Sequence, residues 1–161
     1  MLNLDNYVFA RSLHILAIVF WIGGVAFVTT VLIPALKSTV DPKNRLALFE
    51  QLESKFSFQA KITTVLTGLS GFYMVMFVEG WDRYLTLQYW WMHLMTLVWL
   101  IFTIVLFVLE PLFLHQWFHA RATENGEAAF NALHTMHIIL LTLSIIAITG
   151  AVAGSHGYSF F

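Results

Sequence analysis

No cysteine occurs anywhere in the 161 residues. Disulfides, iron–sulfur clusters and thiolate metal sites are therefore excluded, and the redox compartment cannot be read from thiols. Charge is scarce too: 11% of the residues are Asp, Glu, Lys or Arg, against roughly 25% in soluble domains. A surface with so little charge cannot be kept in water. No run of basic residues exceeds two and the formal net charge is -1, so nucleic acid is excluded as a partner. Also missing are a phosphate-binding glycine loop, a nucleophile elbow and a zinc-protease helix motif. No carboxylate falls in the middle of an apolar segment, which counts against a pump or antiporter. There is no internal repeat and no low-complexity segment.

What is present is hydrocarbon. Hydrophobic residues make up 59% of the chain and the mean hydropathy is +0.77. A membrane span needs about 20 mainly apolar residues. Segments 8–33, 62–78, 88–112 and 133–154 qualify. Lipid offers the backbone no hydrogen-bond partners, so closed helices are required, and alternating ten-residue segments of a β-barrel are lacking. The expectation is one domain over 1–161, an all-α integral membrane four-helix bundle running up-down-up-down. The apolar stretch from Leu13 to Leu36 is longer than a cleavable leader's core and reads as a retained helix.

Lys37, Lys43, Arg45, Lys55, Lys61 and Arg121 lie on one side of these spans, Arg11 and Arg83 on the other. By the positive-inside bias both termini are expected outside the cytoplasm, in a bacterial inner membrane. Asp41-Pro42 makes a helix start, and Leu46, Phe49, Leu52 and Phe56 follow at helical spacing between charges. They predict a short amphipathic helix on the cytoplasmic face. Glu124-Asn125-Gly126-Glu127 predicts a turn. Pro34 and Pro111 are expected to end helices. Lys61 and Glu110 fall at span ends, where snorkelling accounts for them. Tyr7, Trp81, Tyr84, Tyr89, Trp90, Trp91 and Tyr158 form an outer aromatic belt, and Trp117 marks the inner one.

Seven histidines remain as the main candidate ligands. His14 and His93 lie near the outer ends of helices 1 and 3, which an up-down-up-down bundle places diagonally. Two imidazoles at similar depth on diagonal helices are what a six-coordinate haem iron requires. Gly71 and Gly150, roughly level with them, would give a flat ring room, and Arg11 or Arg83 could pair its propionates. The plain packing explanation stands beside this: Gly150 and Gly154 form a small-xxx-small motif common without any cofactor, and a membrane histidine can simply hydrogen-bond across helices.

His115 with His119, and His134 with His137, each share a helix face. The hairpin between helices 3 and 4 is expected to bring both pairs together at the cytoplasmic end. Such a cluster suits copper or zinc, or a second haem, so one haem b is expected and a second is left open. Wet histidines capping a hairpin are the ordinary explanation. Met74, Met76, Met92 and Met95 could pass copper but read as packing.

Leu13-His14, Trp21 and Gly23-Gly24 resemble the opening of the copper-resistance protein D (CopD) superfamily, a histidine followed by Trp-x-Gly-Gly. Trp91-Met92-His93 resembles the Trp-x-His stretch of the related HemJ-type protoporphyrinogen oxidases, and Thr67-Gly68 and Leu133-His134 are similar in style. The resemblance implies a bundle of four or more helices, haem bound by membrane histidines, and electron transfer, porphyrinogen oxidation or copper handling. The HemJ-type pattern has a lysine shortly after the helix-3 histidine, where this chain reads Leu94-Met95-Thr96. That departure counts against protoporphyrinogen IX oxidase activity.

The leading expectation is a membrane b-type cytochrome with His14 and His93 on the iron. An oxidoreductase of haem biosynthesis is the enzymatic alternative, and copper transport or a cofactor-free accessory subunit is the third. Expected partners are membrane lipid and quinone or another redox protein, with assembly as a homo-oligomer left open.

Overall fold

The computed structural model describes residues 3–158, with side chains at all of these except 43, 113–119 and 121–124. Four long helices account for nearly all of it, and no strand occurs among the described residues. Helix α1 is Leu4–Thr39, α2 is Pro42–Phe77, and α4 is Asn125–Ser155. Helix α3 begins at Trp90, passes through π-helical turns over Val105–Leu114 and stays helical from His115 to a break at Asn125. All four are long and apolar enough to cross a membrane. The chain is an all-α, multi-pass membrane bundle.

Local chemistry sets the boundaries. Asn3 caps α1 by accepting from the Asp5 backbone N–H at 3.2 Å. Asn125 leaves helical geometry (φ -155, ψ 92) and its Oδ1 accepts from the Ala128 N–H at 3.0 Å, so it ends α3 and caps α4. The turn predicted at 124–127 is therefore this single-residue break. Between α2 and α3 the chain makes two short 3-10 turns, Gly80–Leu85 and Leu87–Tyr89, after a left-handed Glu79 at φ 51.

The predicted amphipathic surface helix is not separate. Residues 42–77 form one helix of 36 residues, about 54 Å long at 1.5 Å per residue, against a hydrocarbon core of about 30 Å. Helix α1 is equally long. The bundle thus projects beyond the lipid at the end away from the termini. Leu46 and Phe49 are buried there against Val28, Ile33, Leu36 and Phe130, so their helical spacing faces a bundle core, not a membrane surface.

The two prolines do not end helices either. In α1, Val28–Leu32 is π-helical, with Ile33 N–H bonded to the carbonyl of Val28. In that register residue 34 would bond to residue 29, but proline has no N–H to give. The wide turn absorbs the proline and leaves the Thr29 carbonyl for another donor. Pro111 lies inside the π-helical part of α3.

Helix α1 packs chiefly on α2, and α3 on α4, while α1 and α3 sit diagonally. Trp21 of α1 crosses that diagonal to meet Phe102 of α3 edge-on, ring centroids 4.9 Å apart. In lipid, close approach of backbones replaces the hydrophobic drive. Glycines serve it here: Gly24 receives Phe56, Gly68 receives Trp99, and Gly150 and Gly154 receive Trp90 and Trp91.

Candidate functional site

Near the terminus-bearing end His14 projects from α1 onto α2. Its Nδ1 lies 3.0 Å from the Thr67 carbonyl and 3.1 Å from Ser70 Oγ. A carbonyl only accepts, so Nδ1 carries the proton, and the Ser70 hydroxyl in turn donates to the Leu66 carbonyl at 2.5 Å. Nε2 makes no hydrogen bond among the described residues. A Cβ added to Gly71 would sit 3.1 Å from His14 Cε1, so that glycine lets the ring lie against α2.

His93 is elsewhere. It is exposed, its Nε2 2.9 Å from the Tyr84 carbonyl and its ring edge-on to Tyr84 at 5.4 Å. The α3 face that meets the core carries Trp91, Met92, Val98, Phe102 and Leu106. One residue turns a helix by about 100°, so burying Met92 swings His93 out of the core. His14 and His93 do not face each other across the bundle: His14 lies against Thr67 and Ser70 of α2, and His93 against Tyr84 of the connection.

The other predicted members divide similarly. Gly71 serves His14. Gly150 serves tryptophan, since a Cβ there would lie 2.6 Å from Trp90 Cη2. Arg83 lies over the Tyr89 ring, its Cζ 5.5 Å from the centroid. Arg11 is exposed on α1, one turn before His14.

At the opposite end the histidines do not assemble into a metal centre among the described residues. His134 Nε2 is 3.1 Å from the Thr29 carbonyl that Pro34 leaves over, and its Nδ1 accepts from Lys37 Nζ at 2.9 Å. Both of its ring nitrogens are thus engaged, one by the carbonyl and one by the ammonium. His137 donates Nδ1–H to the Leu133 carbonyl at 2.9 Å and packs edge-on against Phe49. The side chains of His115 and His119, like that of Trp117, lie outside the described residues.

Tested against an axially held porphyrin, the residues fit on one side. A haem-ligating histidine characteristically donates Nδ1–H to a backbone carbonyl and presents Nε2, and His14 has that arrangement. His93 does not supply the opposite ligand as it stands, and the space at Gly150 is filled by indole.

The structure adds a feature that single-residue reading passed over. Ser57, Thr63, Thr64, Thr67 and Ser70 of α2 are each buried to 8% exposure or less, spread over an arc of about 140° of the helix. At its lower end Ser57 Oγ lies 2.7 Å from both carboxylate oxygens of Glu110, and Lys61 Nζ 3.1 Å from Oε1. Lys61 and Glu110 are thus partners, with side chains 31% and 17% exposed, rather than separate snorkelling groups. Three- and four-residue spacing of hydroxyls in segment 57–70 was the available clue.

No protein-family model, characterised protein or solved structure matches this chain.

Proposed function

We propose that this protein binds haem b within its membrane bundle, with His14 as an axial ligand, and that it transfers electrons. The carrying observation is the His14 imidazole: Nδ1 fixed by the Thr67 carbonyl at 3.0 Å, Nε2 left for iron, and Gly71 leaving space beside the ring. Haem supplies one-electron redox chemistry when bound. This chain's residues would orient the ligand through the Thr67 bond and shield it from water. The resemblance at His14, Trp21 and Gly23-Gly24 points the same way. The setting that agrees with the lysine and arginine bias is a bacterial inner membrane, both termini outside, with quinone or another redox protein as partner.

A reduced-minus-oxidised spectrum tests the proposal. Purified wild type should show a b-type α band, and His14→Ala should lose most of the haem. His93→Ala should keep it, because His93 is bonded to Tyr84 and turned outward. A colourless wild type, or full haem with an unchanged spectrum in His14→Ala, refutes the assignment.

A further inference from the structure

Seven polar residues are buried among the described residues, and all of them carry hydroxyls. Six are satisfied. Thr29, Thr63, Thr67, Ser70 and Ser144 each donate to the carbonyl four residues back in their own helix, and Ser57 donates to Glu110. Thr64 breaks the pattern. Its Oγ1 is buried and has no partner among the described residues, and the same is true of Trp21 Nε1. The two residues are 1% and 3% exposed.

Both orphaned groups point into one gap. Helices α1 and α2 run antiparallel, and three contacts fix their register: His14 on Thr67, Phe20 O on Gln59, and Gly24 on Phe56. Three residues on from the first contact, Ala17 comes level with Thr64. Trp21, between the other two, comes level with residues 58–60, of which only Ala60 is buried. Ala17 and Trp21 are four apart on α1, and Ala60 and Thr64 four apart on α2, so each pair shares a face. All four residues are buried. Helical side chains lean toward the N-terminus of their own helix. In an antiparallel pair that carries the Trp21 indole over Ala17 and the Thr64 hydroxyl over Ala60, each toward the other. The alanines leave room between them. Helix α3 closes the third side: Phe102 meets the Trp21 ring edge-on, and Trp99, one turn earlier, donates Nε1–H to the Thr64 carbonyl at 2.9 Å.

An indole N–H can only donate, whereas a hydroxyl donates and accepts. The occupant of the gap must therefore accept from Trp21, which a cation cannot do. The two groups do not bond each other directly, so a small molecule spaces them. Water has that chemistry and that size, and internal water characteristically joins otherwise unpaired buried polar groups. We propose that one water molecule is bound between α1 and α2, accepting from Trp21 Nε1 and hydrogen-bonded to Thr64 Oγ1. It links α1 to the residue of α2 whose carbonyl α3 already holds, and so ties three helices at one point inside the bundle. The site does not depend on what the His14 ring binds.

Water-selective NOE spectroscopy of the indole N–H groups, on the intact chain in detergent, tests it. The Trp21 Nε1 proton should show a cross-peak to water in the wild type. Ala17→Val and Ala60→Val fill the gap from opposite helices and leave both polar groups in place, and each should abolish the cross-peak. Thr64→Val keeps the shape, removes one of the two partners, and should abolish it as well. Thr142→Val, on the exposed face of α4, should leave it unchanged. In each variant the Trp99 indole, protected from solvent exchange by its bond to Thr64, reports that α2 and α3 remain packed. A wild type without a Trp21 cross-peak overturns the site, and a cross-peak that survives Thr64→Val overturns Thr64 as the partner. So does one that survives in whichever alanine variant keeps Trp99 protected, because the signal would then come through the exchangeable Thr64 hydroxyl and not from a bound water.

Discussion

Replacing Gly68 by alanine adds a single methyl group where α2 receives Trp99 of α3. The new Cβ would lie 2.6 Å from Trp99 Cζ2 and 2.7 Å from Cε2, well inside van der Waals contact. Trp99 cannot yield at its far end only, because the clash falls on the fused ring edge next to Nε1. Moving the ring breaks the 2.9 Å bond to the Thr64 carbonyl. That loss is about 0.5–1.5 kcal/mol, and forcing an extra carbon into a packed interior costs about 1–3 kcal/mol. Alanine's better helix propensity returns about 0.5–1 kcal/mol. The net expectation is destabilisation of about 2 kcal/mol. Gly23→Ala is the paired control: its Cβ would meet nothing within 4 Å, so only the propensity gain of about 0.5–1 kcal/mol remains. Equilibrium unfolding of both variants in mixed detergent micelles, with indole fluorescence as a second probe, measures the difference. In a Trp99→Phe background the Gly68→Ala penalty should shrink, because the smaller ring no longer fills the slot. If both glycine variants shift stability in the same direction, tryptophan-in-glycine packing does not hold α2 against α3.

Two further outcomes follow from paired groups. Lys61→Met leaves the Glu110 carboxylate without its ammonium partner, and destabilisation of about 1–3 kcal/mol is expected in the same unfolding assay. Adding Glu110→Gln should recover most of that loss, and a double variant as unstable as the single one would mean the 3.1 Å pair carries no coupling. His134→Leu removes the donor to the Thr29 carbonyl and should cost about 1–3 kcal/mol. Pro34→Ala, which restores an N–H for that carbonyl, should reduce the cost when the two are combined, and strictly additive effects would refute the account of the wide turn.

Hydropathy alone was enough to find four spanning helices, because lipid leaves an apolar chain few other forms. Helix lengths were harder. Charged residues between Leu46 and Phe56 lowered the hydropathy of the first half of α2, and the segment read as a surface helix. Leu46 and Phe49 in fact pack against α1 and α4, and Leu52 alone of the series is exposed. Prolines were misread for a related reason. Pro34 and Pro111 are tolerated within helices because π-helical turns change the register, and no one-dimensional pattern announces such a turn. At the candidate site, azimuth was the part not read. His93, like His14, falls near the outer end of an apolar segment, yet the apolar series Trp91, Met95, Val98, Phe102 and Leu106 already defined a core face that leaves position 93 outside. His14 was recognisable from its place in α1. Its partners were not, because a backbone carbonyl and a serine hydroxyl have no signature in sequence.

The two ends of α2 differ in how their hydroxyls are engaged. Toward the termini Ser70 and the Thr67 carbonyl meet the neutral ring of His14. Toward the projecting end the helix meets a carboxylate already balanced by Lys61 and held by Ser57. A carboxylate buried alone at a span end would be too costly to keep ionised, and the ammonium of Lys61 at 3.1 Å offsets that cost. The same geometry explains why Ser57 is 1% exposed while Lys61 is not. Serine faces inward along the hydroxyl series, and lysine leads outward from it. Helix α2 thus directs one inward and one outward polar group, four residues apart, onto a single carboxylate of α3, and Glu110 ties the two helices together through both.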